Sequence, residues 1–332
     1  MNRICIIGAG ATGILLLLLL RDVKNITIID PNFDGGDLAR RWGAIQSNTP
    51  WSKTFNALST QFDALGLTSA HDLNSTTHLS SIAELLRSMA KPTLKNVSQI
   101  HGAVSRCEYS TQDSIWSIQV QVGNETRRIQ CEKIVFTQGS EPLTYDLPIP
   151  SIPLDIAMDV GRLKHYVKAG EKVLIFGTKH SGTLAMKSAC DLSANVTAIY
   201  RSEKPFYYDR DGVYDGIKAE ATVIADAVLN GTLPVTLVQT SNIEALVRAT
   251  STADWVVYAM GFRPRQDIQL FVDGERKSTT AYNDSTGKLL EVSNAWGFGI
   301  AYPKRAPDGV HFDVSVAAFL EHMKEQAAAI CQ

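Results

Sequence analysis

From Ile4 to Leu20 the chain is uncharged and mostly apolar, with Arg3 before the run and Arg21 after it. Its opening, Ile4-Cys5-Ile6-Ile7, has the unbroken apolar character of a strand buried on both faces. Gly8, Gly10 and Gly13 then interrupt the run, and the leucine-rich continuation predicts a helix to about Asp22. Asn25 to Ile29 reads as a second strand, ending at the acid Asp30. A signal peptide or short membrane span has a similar apolar content. The defined glycine spacing, the lack of a prompt small-residue cleavage site and the strand that follows favour a buried strand with its packing helix.

Further along, Ile82 to Met89 has helical periodicity, and Val104–Tyr109, Trp116–Val122 and Arg127–Cys131 alternate as a β-meander does. Lys133 to Phe136 predicts a strand running into Thr137-Gln138-Gly139. Pro142, Pro148, Pro150 and Pro153 mark a linker, and Ile156 to Val167 predicts a short connecting helix. The opening unit then recurs: Val173 to Phe176 forms a strand, Gly177-Thr178-Lys179-His180-Ser181-Gly182 a turn, and a helix follows to about Leu192. A strand from Asn195 to Tyr200 completes the unit, with Arg201 at its end. Trp255 to Ala259 leads into Met260-Gly261, and a last helix begins near Asp313 and runs to about Ala329. The fold class expected is α/β, with two Rossmann-like dinucleotide-binding domains.

The two turns carry the candidate chemistry. In the first, Gly8-Ala9-Gly10-Ala11-Thr12-Gly13, the opening glycine makes the tight turn, Gly10 leaves room for a pyrophosphate, and Gly13 lets the helix pack closely on the strand. The helix amides then face the phosphates, and Asp30 is placed to accept from ribose hydroxyls. In the second, Gly177 and Gly182 keep their places but Lys179 stands where the middle glycine belongs. That lysine either obstructs a pyrophosphate or supplies charge to it. The site is a nucleotide site or a retained fold whose ligand function has decayed. Arg201 suits a 2′-phosphate through charged hydrogen bonds, with Ser202 and Lys204 beside it; the alternative is a solvated strand-end residue. His180 is a candidate for a polar contact there, or a packing residue at a helix start. Residues 205–218 form an aromatic, charged and glycine-rich loop, fit either to cover a binding cleft or to pack as a surface excursion.

Composition narrows the partners. At 332 residues and 45% hydrophobic content the chain fills a substantial core, and 32 basic residues balance 34 acidic ones with no run of either sign. No footprint for nucleic acid or an anionic membrane is visible, so a small-molecule substrate is expected. Cys5, Cys107, Cys131, Cys190 and Cys331 contain no CxxC pair. This argues against a disulfide framework, a metal knuckle and a redox dithiol, and fits a reducing, cytoplasmic setting with no metal.

In motif order the chain resembles the two-dinucleotide-domain flavoproteins, meaning the pyridine nucleotide-disulfide oxidoreductase superfamily and its flavin-containing monooxygenase relatives. The resemblance implies that the first fingerprint (Gly8, Gly10, Ala11, Thr12, Gly13 and Asp30) binds FAD. It also implies an FAD domain over residues 1–152 and 262–332, with an NAD(P)H domain inserted over residues 153–261. Gly35-Gly36, Trp42 and Ser47-Asn48-Thr49 are similar to the family segment beside the flavin, so Gly36, Trp42 and Asn48 are implied contacts. A glycine pair can otherwise mark a plain surface turn. Gly139 and Gly261 close segments similar to the family's Ala-Thr-Gly, with Gln138 and Met260 in place of threonine. Gly299 and a helix starting at Asp313 are implied at the flavin, although the family's Gly-Asp is absent. Gly177, Lys179, His180, Ser181, Gly182 and Arg201 are implied contacts of NADPH. Without CxxC, disulfide-reductase chemistry is not expected, and the monooxygenase FxGxxxH segment is missing too. The expected activity is reduction of the flavin by NADPH, with electrons passed to a small organic substrate or to oxygen and no acid or base identified. The alternatives are N- or S-oxygenation and a non-catalytic nucleotide-binding sensor.

Overall fold

The computed structural model describes residues 2–47, 50–59, 76–206, 217–309 and 312–332. Two compact units divide the chain. One comprises residues 1–43, 49–141 and 264–332, and the other residues 44–48 and 142–263.

The first unit is organised by strand β1 (Asn2–Ile7), which pairs in parallel with β2 (Ile26–Asp30) on one side and with β6 (Glu125–Phe136) on the other. β2 continues to β3 (Ser98–His101), while β4 (Ala103–Ser110) and β5 (Ile115–Val122) extend the sheet antiparallel from β6. The meander strand and the strand before Gly139, expected as separate elements, are one 12-residue strand. Its first half pairs with β5 and is exposed, and its second half pairs with β1 and is buried. The hairpin Gln269–Val272 and Glu275–Lys277 adds to the far edge beside β4, and Ala295–Gly297 pairs with β6.

Both faces of this sheet are covered, which accounts for the unbroken apolar run of β1. Ile4 and Ile6 enter a core with α1 (Ala11–Leu19), the crossover helix Leu79–Leu94 and the C-terminal helix Val316–Cys331. Cys5 and Ile7 enter the opposite core with Trp116, Ile118 and Tyr302. Leu15, Leu16 and Leu17 are all fully buried because α1 lies between the sheet and the two other helices. A helix so enclosed needs no polar face. Among the described residues no helix is long and apolar enough to cross a membrane.

The C-terminal helix starts at Val316, not near Asp313 as expected. Ser315 is its N-cap and accepts from the Ala318 amide at 3.1 Å. Asp313 lies in the short strand Phe312–Asp313, which pairs with Lys304–Arg305.

The second unit contains a four-stranded parallel sheet in the order Val235–Gln239, Asn195–Tyr200, Lys172–Phe176, Trp255–Tyr258. Helix His180–Asp191 packs against helix Ile217–Leu229. The proline-rich segment is part of this unit, since Ile152 donates to the Val256 carbonyl at 2.8 Å and Val256 to that of Pro150 at 2.9 Å. The single connecting helix expected over Ile156 to Val167 is instead two short helices, Leu154–Ala157 and Val160–Leu163. Asp159 separates them by accepting from the Gly161 and Arg162 amides, an N-cap that starts the second helix afresh.

His322, on the C-terminal helix, is only 2% exposed, and its Nε2 has no partner among the described residues. Its ring lies edge-on to Phe298 at 5.1 Å. Burial is the main cause that lowers its pKa, aided by Lys304, while Glu325, Asp284 and the Ser285 carbonyl act the other way. Near pH 7 the ring is therefore neutral, and an unfolded chain takes the proton more readily. Stability from this group is present above about pH 6.5, the ordinary histidine value, and is lost as pH falls towards the depressed folded value. Thermal unfolding should thus shift to lower temperature between pH 7 and pH 5, with a shallower shift in His322→Gln. Parallel curves for the two proteins would show that His322 does not contribute.

Candidate functional site

The first glycine loop is clamped at the carboxyl end of β1. The Gly8 amide donates to the Ile29 carbonyl at 2.8 Å, and the Thr137 amide to that of Ile7 at 2.8 Å. Gly8 has φ +104°, and a side chain on it would stand 2.7 Å from the Thr137 carbonyl oxygen. At Gly13 the restriction is tighter: a Cβ would lie 1.9 Å from the Gly8 oxygen. The Thr137 hydroxyl completes the clamp by donating towards the Ile7 and Gly8 carbonyls at 2.8 and 2.9 Å.

Gly10 differs from both. Its backbone is extended (φ −73°, ψ −170°), and the nearest atom to an added Cβ is the Gly36 Cα at 3.9 Å. The fold itself leaves that space open. Gly10 is the N-cap of α1 without a side-chain cap, and Ala11, Thr12 and Gly13 follow with no acid in the first turn. Amides at such a terminus are suited to an anion. Gly35-Gly36 is not a plain surface turn. Gly35 bridges Gly10, and a Cβ on Gly36 would stand 2.9 Å from the Gly10 Cα.

Asp30 is 8% exposed and already engaged with the loop. Its Oδ2 accepts from the Ala9 amide at 2.8 Å, and its Oδ1 from the Asn32 and Phe33 amides at 2.8 and 3.0 Å. The carboxylate braces the glycine turn, so the role expected for it at a ribose rests on its remaining lone pairs. Gly299 lies on Thr12, whose Oγ1 would be 2.3 Å from a Cβ there. Gly139 is open, with nothing within 4 Å of its Cβ position. Trp42 stacks with Arg41, whose guanidinium carbon is 5.2 Å from the ring centroid. Asp313 is exposed and lies outside any helix, so it is not the start of a helix aimed at a ligand. Asn48 lies outside the described residues.

The second loop repeats this construction within the second unit. The Gly177 amide donates to the Ile199 carbonyl at 2.9 Å, and the Ala259 amide to that of Phe176 at 2.7 Å. Cβ atoms on Gly177 and Gly182 would lie 2.2 Å from the Ala259 oxygen and 2.1 Å from the Gly177 oxygen. Lys179 occupies the place of Gly10 with nearly the same backbone, φ −83° and ψ −171°. Any residue adopts that conformation, so Lys179 is unstrained, and its exposed side chain stands at the uncapped start of helix His180–Asp191, before Ser181 and Gly182. His180 is held below the ordinary imidazole range by burial, then by Lys218 and Lys179, which leaves it neutral at pH 7. Because Gly177 bonds to Ile199 as Gly8 bonds to Ile29, Tyr200 corresponds to Asp30, and Arg201 is one residue beyond. Arg201 is exposed and has no ion-pair partner among the described residues. Residues 207–216, most of the aromatic loop, lie outside the described residues.

Lys218 and Arg265 escaped sequence reading. Lys218 follows a glycine-rich stretch that hides its helical setting, and Arg265 stands just past Phe262-Arg263-Pro264. Cys5, Cys107 and Cys131 are fully buried, and burial is the main cause that pushes the thiols of Cys107 and Cys131 far up. A protonated, enclosed thiol is inert as a nucleophile. No group of metal-binding side chains occurs among the described residues.

The first unit thus combines three features that suit a dinucleotide: open space at the Gly10 Cβ position, uncapped helix amides and a braced acid at the end of the second strand. No family model matches the chain. The curated monooxygenase AgnR1 of Paecilomyces divaricatus is 22% identical over 380 residues, covering 96% of this chain and 95% of that protein. The solved bacillithiol disulfide reductase Bdr from Bacillus cereus aligns with TM-score 0.64 and 14% identity over 99% of this chain and 98% of its own. A flavin monooxygenase from Stenotrophomonas maltophilia aligns with TM-score 0.62 and 13% identity over 100% and 99%. The chain therefore shares its two-unit α/β fold with these solved flavoproteins.

Proposed function

We propose that this protein is an FAD-dependent oxidoreductase in which the first glycine loop holds FAD and the second holds NADPH. The observation that supports the reading is the contrast within the first loop: packing requires glycine at Gly8 and Gly13, whereas it leaves the space over Gly10 open. When bound, FAD supplies the two-electron chemistry and NADPH the hydride. The chain's own part is to bind and orient. The α1 amides and the glycine cradle take the pyrophosphate, and Asp30 keeps the turn in shape. In the second unit Lys179 supplies charge at the pyrophosphate, and Arg201 reads the 2′-phosphate.

A second reading, N- or S-oxygenation, is favoured by the curated monooxygenase that spans nearly the whole chain. Oxygen uptake that rises with an amine or sulfide and yields its oxide would select it. Substrate reduction unaffected by oxygen would select the first. Flavin bleaching by NADPH under anaerobic conditions would set both apart from a nucleotide-binding sensor.

The glycine contrast yields a paired test. Gly10→Val should fold with nearly unchanged stability yet purify without flavin. Gly13→Ala, whose methyl meets a backbone oxygen, should lose on the order of 3 kcal/mol of stability. Flavin retained in full by Gly10→Val would remove the basis of the assignment.

For the second loop, stopped-flow reduction of the flavin separates the roles. Arg201 is exposed, so solvent screening limits its contribution, and Arg201→Ala should weaken NADPH about tenfold while sparing NADH. Lys179→Ala should weaken both coenzymes. Tighter binding of both by Lys179→Gly would mean that the lysine only obstructs the site.

A further inference from the structure

Resting on FAD at the first loop, we propose that Arg265 is a phosphate anchor of that loop, helping the α1 amides to hold the pyrophosphate of the dinucleotide. Three observations converge on it. Arg265 is tied at both ends: its backbone amide donates to the Gly139 carbonyl at 3.3 Å, and its Nη2 pairs with the Asp37 carboxylate. Its Nε is buried and has no acceptor among the described residues. A buried guanidinium N–H without a partner is costly, and an anionic oxygen is its natural complement.

The second observation is charge. Arg40 and Arg41 also approach Asp37, each at 3.7 Å, and Arg40 reaches Asp34 at 3.4 Å. Three guanidinium groups thus gather around the Asp37 carboxylate. The third is location. Asp37 directly follows Gly36, whose Cβ position is 2.9 Å from the Gly10 Cα, so the arginine cluster adjoins the opening over Gly10. A guanidinium presents several donors in one plane and can keep Asp37 on one edge while offering another to a phosphate; an ammonium on a single stem offers no such second edge.

The test titrates FAD, ADP and riboflavin into the full chain freed of bound flavin, with unfolding temperature measured without nucleotide. Arg265→Met should weaken FAD and ADP by about ten- to a hundredfold and leave riboflavin unchanged. Asp37→Asn removes a negative charge beside the anion and should bind ADP as well as the wild type or better. Should Arg265→Met fail to fold, Arg265→Lys serves, since it keeps the pairing charge but lacks Nε; it should lose ADP affinity with its unfolding temperature maintained. Unchanged ADP binding in the folded Arg265 variants overturns the inference. So do equal losses in Asp37→Asn and Arg265→Met, which would make the pair only a brace. If the wild type binds ADP through Arg265 but not FAD, the phosphate anchor stands and the FAD reading falls. If it binds neither, both fall.

Discussion

The carbonyl oxygen of Gly8 comes so close to Gly13 that even a methyl on the helix would stand 1.9 Å away. Helix α1 can approach its strand this nearly only where the helix residue has no side chain. That approach aims the first-turn amides over the end of the sheet, and Thr137 secures it from the next strand with its amide and hydroxyl. Since β1 pairs with β2 on one side and β6 on the other, the loop stands where three strands end together. Gly177, Gly182 and Ala259 repeat the same contact in the second unit. The placement of both candidate sites depends on this one steric condition.

With the backbone held alike, the two loops differ in how they manage charge. In the first, Gly10 leaves the opening clear and Asp30 spends its carboxylate on three loop amides. In the second, Lys179 stands at the opening, Tyr200 replaces the acid, and Lys218 adds its field near His180. Both helix starts lack a side-chain cap, and only the second has a lysine at the N-cap position. Arg265 modifies this contrast by bringing a cation to the first loop from a distant part of the chain.

Much of this was legible in residue order because the determinants are local. Gly8, Gly10 and Gly13 act within one turn of chain, and the strand from Asn195 to Tyr200 has the bounds its apolar pattern indicates. Elements whose limits depend on partners were harder to read. β6 looks like two segments because its first half faces solvent and its second half lies between β1 and Ala295–Gly297. The last helix is capped by Ser315 and not Asp313, since the pairing of Phe312–Asp313 with Lys304–Arg305 holds the aspartate in a strand.

The sequence by itself determined the repeated strand, glycine turn and helix, and with them the α/β class and the positions of the two glycine loops. These are encoded in glycine spacings and apolar runs that lie within short stretches of chain. Only the tertiary structure decided which chemical groups stand at those loops. It turned Asp30 inward onto backbone amides, showed Lys179 in a backbone conformation that costs it nothing, and brought Arg265 to Asp37 across the length of the chain. Such contacts depend on how distant strands are ordered in the sheet, and that order has no signature in the spacing of residues along the chain.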